Sequence, residues 1–206
     1  MNPCPNASLR RGRFSDDTPV LPVSNNGVSI VAANNVWIED CVIDGNTGTG
    51  TNTGVGVRVA TVASTNLFIS DTVIHKNVTG VRVTTTSGFA VANLRNVNIE
   101  GHTTGVEAAA NGFVTVADSR IANNSGNALF ASASTAQLNS RDNVISNNGT
   151  AFNAAAGSTM RALSNLLLNN TTGFGGSTAN IQTDGQNRNA GNTSPGAPGG
   201  GTVTIH

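Results

Sequence analysis

Three ionisable side chains share one local context. Asp44, His75 and Glu100 each follow an isoleucine, in "VID", "VIH" and "NIE". If those isoleucines occupy equivalent inward positions, the residue after each points outward, because neighbours along a strand alternate sides. A carboxylate, an imidazole and a carboxylate then stand in one vertical file. Carboxylate pairs flanking a bond serve as acid and base in glycoside hydrolysis. With adjacent strands about 4.8 Å apart, Asp44 and Glu100 would be separated by about 9 to 10 Å, the wide end of the inverting range. An imidazolium at His75 would be favoured by the acid on either side. One strand further on, after a glycine-valine pair, the outward position reads Arg58, Arg82 and Glu107. Guanidinium groups there suit a carboxylate-bearing substrate. The catalytic candidates are therefore Asp44, His75 and Glu100, and the substrate-binding candidates Arg58, Arg82 and Glu107. Against this stands a plainer reading, in which outward positions are polar anyway and stacked neighbours are chosen to avoid repulsion.

Both readings require elements that place like residues over one another, and an internal repeat supplies them. Ile43, Ile74, Ile99, Ile121, Ile145 and Leu167 recur at separations of 31, 25, 22, 24 and 22 residues. Three positions after each come Asn46, Asn77, His102, Asn124, Asn148 and Asn170, and three before come Asp40, Asp71, Asn96, Asp118, Asp142 and Ser164. Such a period is too short for helical-hairpin repeats, and the apolar positions in "VWIEDCVI", "LFISDTVI" and "FVTVADSRI" alternate with period two. The ladder of leucines that a leucine-rich repeat needs is missing. What remains is a coil of about three short strands per turn, each turn paired in parallel with the last.

Stacking gives the asparagine column a physical purpose. An amide carries both donor and acceptor, so amides one rung apart can bond along the column while the backbone turns. His102 interrupts the file once and is expected to make the same kind of turn hydrogen bond. The aspartate column is read as turn-capping, with calcium between Asp40 and Asp71 or between Asp118 and Asp142 as the weaker alternative, since no compact acidic loop is present. No cofactor is otherwise required. Asn77, Asn148 and Asn170 fall in glycosylation sequons, but a buried ladder amide is closed to a modifying enzyme.

On the motifs "DCVIDGN", "SDTVIHKN", "ADSRIANNSG", "RDNVISNNGT" and "NLLLNNTTG", the chain resembles the right-handed parallel β-helix repeat proteins of the pectate-lyase-like superfamily, over about residues 27 to 187. The resemblance implies an all-β, single-stranded parallel β-helix of about six to seven rungs with an N-terminal cap. It implies a reaction only loosely, because the superfamily holds lyases, hydrolases, esterases and adhesins. Neither the clustered calcium-binding aspartates of pectate lyases nor the paired aspartates of polygalacturonases are recognisable.

Residues 1 to 26 carry prolines and no rung pattern, and are expected to form an arm or cap over the open end of the coil. "NTGTGTNTG" at 46 to 54 is an insertion, and the stretch 188 to 206 is a Gly/Pro-rich tail whose "TVTIH" alternates like a strand. Cys4 and Cys41 are compatible with a bridge in an oxidising compartment or with two thiols. With 11 basic and 11 acidic residues the formal net charge is zero, so the basic footprint of a nucleic-acid binder is missing. No apolar run is long enough to span a bilayer, and the first residues lack a signal-type apolar segment. Most of the seven phenylalanines are expected in the core, with Phe68, Phe89 and Phe113 as core or oligomer contacts. Two functions follow. The first is an extracellular or cell-surface protein that binds polysaccharide, or cleaves it as a hydrolase or lyase, at the Asp/His/Glu file. The second is a structural or adhesive module that self-associates as a homo-oligomer, with Val42, Val73 and Val144 as an apolar outer stripe.

Overall fold

The computed structural model describes residues 7–10, 13–15, 26–48, 50 and 53–203. Among those residues the regular structure is almost entirely parallel β: two eight-stranded sheets and one seven-stranded sheet, with a single short 3-10 helix at Thr178–Asn180. The expected parallel solenoid is what the chain forms. One turn illustrates it. Thr65–Ser70 lies in the first sheet, Val73–His75 in the second and Thr79–Thr85 in the third, after which Ala90–Arg95 returns to pair with Thr65–Ser70.

The alternation in the sequence becomes an inside and an outside. In Thr65–Ser70, Leu67 and Ile69 are buried while Asn66 and Phe68 are exposed. The anchor residues pair directly, Ile43 with Ile74, Ile74 with Ile99, Ile99 with Ile121, Ile121 with Ile145 and Ile145 with Leu167, and all are fully buried. Each such side chain contributes about 1.5 to 3 kcal/mol relative to exposure. The small residue six positions later is required by crowding. A Cβ on Gly80 would lie 2.5 Å from the Gly105 carbonyl oxygen and 3.0 Å from both His102 Nε2 and Ile99 Cγ2.

Two tight corners turn the chain from sheet to sheet, and each uses a left-handed residue. At the first, Asp40, Asp71, Asn96, Asp118, Asp142 and Ser164 have φ between 51° and 55°. Asp and Asn tolerate that conformation better than most L-residues, which accounts for the aspartate column. At the second corner the same task falls to Gly45, Lys76, Gly101, Asn123, Asn147 and Asn169. The residue following each left-handed position turns inward, and at the second corner these residues form the expected ladder. Asn124 Nδ2 donates to Asn148 Oδ1 at 2.8 Å, and Asn148 Nδ2 to Asn170 Oδ1 at 2.9 Å. Asn77, Asn148 and Asn170 are 4%, 3% and 1% exposed, which closes their sequons.

A second ladder, which the sequence reading missed, runs inside the first corner. Ser119 N–H donates to Asn143 Oδ1 at 2.8 Å, Asn143 N–H to Asn165 Oδ1 at 3.2 Å and Asn165 N–H to Asn187 Oδ1 at 2.9 Å. Cys41 occupies this inner column and is buried. The alternative of a bridge to Cys4 falls on a residue outside the described ones. Within the stretch expected to be an arm or cap, Ala7–Arg10 and Arg13–Ser15 pair in parallel with Asn35–Glu39 and Val42–Asp44. In the tail, Arg188–Ala190 continues the second sheet, and Thr202 bridges Thr183. Residues 204–206 of "TVTIH" lie outside the described ones.

The expectation that most phenylalanines lie in the core needs a correction. Phe152 and Phe174 stack in the core with ring centroids 5.3 Å apart. Phe68 and Phe89, by contrast, are 37% and 54% exposed on the outer face of the first sheet, and Phe113 is half-buried there. Trp37 stacks on Phe68 and Phe89 on Phe113, so the outside of this sheet holds two aromatic pairs.

Candidate functional site

The second sheet sets Asp44, His75 and Glu100 at the ends of three successive three-residue strands, Val42–Asp44, Val73–His75 and Asn98–Glu100. His75 pairs with Asp44 on one side and Glu100 on the other. His75 Nε2 is 3.6 Å from Asp44 Oδ2. The two are unequally accessible, with 26% of the His75 side chain exposed and 9% of Asp44. Glu100 turns the other way. Its Oε2 lies 2.6 Å from Arg120 Nη1, which also donates to Asn98 Oδ1 at 3.2 Å. The file then continues with Ala122, Ser146 and Leu168 and carries no further charge. The acid-histidine pair and the acid-arginine pair are thus the two polar units of this column.

Arg120 was missed by sequence reasoning. It pairs with Asn98, two positions before the residue opposite Glu100, and long side chains bridge such diagonals. Once the anchors are aligned, residues two before and two after an outward charge on the next rung can be inspected for a counter-ion. That signal was present and unused.

The third sheet places Arg58, Arg82 and Glu107 in one register file. Arg82 Nε lies 3.2 Å from Glu107 Oε2, while Ser132 Oγ donates to Glu107 Oε1 at 2.7 Å. One carboxylate therefore stands with two guanidinium groups, and both of its oxygens are engaged. Arg58 Nε is buried and has no hydrogen-bond partner among the described residues. An unmatched buried donor on a cation is costly, and a bound anion would satisfy it once the guanidinium swings out to meet it.

His102 is a ladder member. Its Nδ1 accepts the Asn77 N–H at 3.0 Å, and its Nε2 donates to the Ile74 carbonyl at 3.1 Å. With Nδ1 accepting, the neutral ring carries its proton on Nε2; Nδ1 also lies 3.1 Å from the Asn77 carbonyl oxygen, to which a protonated ring would donate. Burial holds its pKa below the ordinary value of 6.5, the hydrogen bonds to Asn77 and Ile74 opposing that effect. Among the described residues no three His, Cys, Asp or Glu side chains converge as a metal site, and no helix is long and apolar enough to cross a membrane.

A family model described as periplasmic copper-binding protein (NosD) matches residues 11–192. No curated protein and no solved structure matches the chain.

Proposed function

The chain belongs to the NosD family, a family of right-handed parallel β-helices in the pectate-lyase-like superfamily, and on that premise we propose that it is a periplasmic protein that binds a carboxylate-bearing glycan. The unmatched buried Nε of Arg58, one rung from Arg82, carries this reading. Arg58 supplies an unused donor to a ligand carboxylate, and Arg82, steadied by Glu107, supplies the neighbouring charge. Asp44, His75 and Glu100 contribute hydrogen-bonding groups on the adjoining sheet. Binding is favoured over cleavage because Glu100 is tied to Arg120 and Asp44 is nearly buried, so neither is poised to activate a water. Periplasmic residence is proposed from the family's description and narrows the expected location outside the cytoplasm.

Copper, which the family's description raises, does not fit the described side chains. Copper takes imidazole, thiolate and thioether donors. Both His102 nitrogens are engaged, Met160 is fully buried among apolar residues, and Cys41 faces the interior with Sγ 3.2 Å from the Glu39 carbonyl oxygen. His75 has one carboxylate beside it and no second soft donor.

The test is a glycan array with acidic and neutral polysaccharides, run beside reducing-sugar and unsaturated-product assays. Retention of acidic glycans, weakened about tenfold or more by Arg58→Ala with Arg82→Ala and without product formation, is the expected result. Equal retention of neutral and acidic glycans at this site, or none, overturns it.

Self-association has its own observation. Trp37 with Phe68 and Phe89 with Phe113 form two outer aromatic pairs in a chain with only eight aromatic residues, and exposed apolar surface of this kind marks contact regions. A second copy of the chain is the occupant this reading names. Light scattering should then show a dimer that Phe68→Ser with Phe89→Ser converts to monomer.

A further inference from the structure

A trough runs parallel to the solenoid axis outside the first corner, away from Arg58 and Arg82. One cavity of about 590 Å³ stretches from Asp71 to Val144, and a second of about 410 Å³ shares Asp142 and Val144 with it and continues to Arg188. The shared walls make them one channel. Its wall residues at 71, 96, 118, 142, 164 and 186 mark six rungs, hence roughly 24 Å at the usual strand spacing. We propose that this trough binds a linear, uncharged polysaccharide laid along the axis.

The charges in the trough select that chemistry. The left-handed corner holds Asp71, Asp118 and Asp142 in one file along the wall. Each is already compensated through one oxygen. Asn96 Nδ2 donates to Asp71 Oδ1 at 2.6 Å, Arg95 Nε to Asp118 Oδ2 at 3.1 Å, and Arg141 Nε lies 3.5 Å from Asp142 Oδ2. The second oxygen of each carboxylate remains to accept from a ligand hydroxyl. Because these acids are matched by Arg95, Arg141 and an amide, they do not call for a cation. With Arg120 and Arg188 in the same walls, the trough carries both signs of charge, so neither a polyanion nor a polycation meets a uniformly complementary surface. A neutral polyol does not need one. Val73, Val144 and Leu166 recur along the trough between the polar groups, and they supply the apolar surface on which the C–H faces of sugar rings pack. Such a mixture of placed polar groups on an apolar lining is what small-molecule sites present.

The test uses the full chain with neutral probes: cello-, xylo-, laminari-, malto- and chito-oligosaccharides, each short and long, by calorimetry. At least one series should bind, more tightly as the oligomer lengthens. Val144→Trp, a change at a 39% exposed position, should weaken that binding about tenfold or more, with the melting curve confirming the fold. Asp118→Asn should weaken it less. Arg58→Ala with Arg82→Ala should leave it unchanged, so that failure here and failure of the carboxylate site are told apart. No binding in any series, binding of polygalacturonate or alginate alone, or binding indifferent to Val144→Trp overturns the proposal.

Discussion

The two corners of the coil solve one problem with different completeness. At the second corner, every inward residue from Asn46 to Asn170 passes its N–H to a side chain of the following rung: Asn46 to Asn77, Asn77 to His102, His102 to Asn124, then Asn148, Asn170 and Asn192. At the first corner the series is broken. Cys41 N–H reaches Thr72 Oγ1 at 3.3 Å and Val97 N–H reaches Ser119 Oγ at 3.1 Å, but Thr72 faces Val97, which has no side-chain acceptor to offer. From Ser119 onward the first corner too becomes a continuous file. The N-terminal half of the coil is therefore held by one ladder and the C-terminal half by two.

That contrast can be broken most forcefully at Asn148. Its Oδ1 accepts from both the N–H and the Nδ2 of Asn124, and its own Nδ2 reaches Ile121 O, Ser146 O and Asn170 Oδ1. Asn148→Ala leaves at least two buried donors unmatched and should cost about 3 kcal/mol or more in chemical denaturation. Next in size is acidification. The folded ring of His102 binds its proton less readily than the unfolded chain does, because of burial, which outweighs the hydrogen bonds to the Asn77 and Ile74 backbone. Its contribution is complete above about pH 6.5 and is lost progressively as the pH falls towards the depressed folded value. Melting temperature should fall in that window, and His102→Asn, which keeps an acceptor for Asn77, should flatten the dependence. An unchanged slope in that variant would show that the ladder histidine is not responsible.

Repair of the first corner is expected to have the third-largest effect. Val97→Thr gives Thr72 N–H an acceptor at the one gap in the first corner and should raise stability by about 1 kcal/mol. Loss of stability would mean that the corner cannot admit a hydroxyl there. The smallest effect concerns the left-handed positions. Lys76 holds φ 54° where the neighbouring rungs have Gly45 and Gly101, so Lys76→Gly should stabilise by about 0.5 kcal/mol, the relief of strain outweighing unfolded-state entropy. Asp71→Gly at the first corner should change stability by less than that, since Asp tolerates the conformation.

Identical residues made the second corner legible in the sequence. Isoleucine over isoleucine and asparagine over asparagine show as columns once the repeat is aligned, and parallel pairing follows. The inner file of the first corner reads Cys41, Thr72, Val97, Ser119, Asn143 and Asn165; the shared feature is an inward turn, not a residue type, so no column stands out. The core alternative for Phe68 fails for a related reason. In "LFIS" three apolar residues run together and mask the parity, although Leu67 and Ile69 inward require Phe68 outward. The candidate file on the second sheet aligned as the register demands, but Arg120 reaches Glu100 across a diagonal, and a straight column does not display diagonals. The trough was not legible at all, because it arises from the shape of the left-handed corner.

Every rung grips only the rungs above and below it, through strands 22 to 31 residues apart along the chain. Tension applied between the two ends would therefore peel the coil one turn at a time, each turn paying out a similar length of chain. The extension trace should be a sawtooth, with its teeth taller where two ladders run side by side than where there is one.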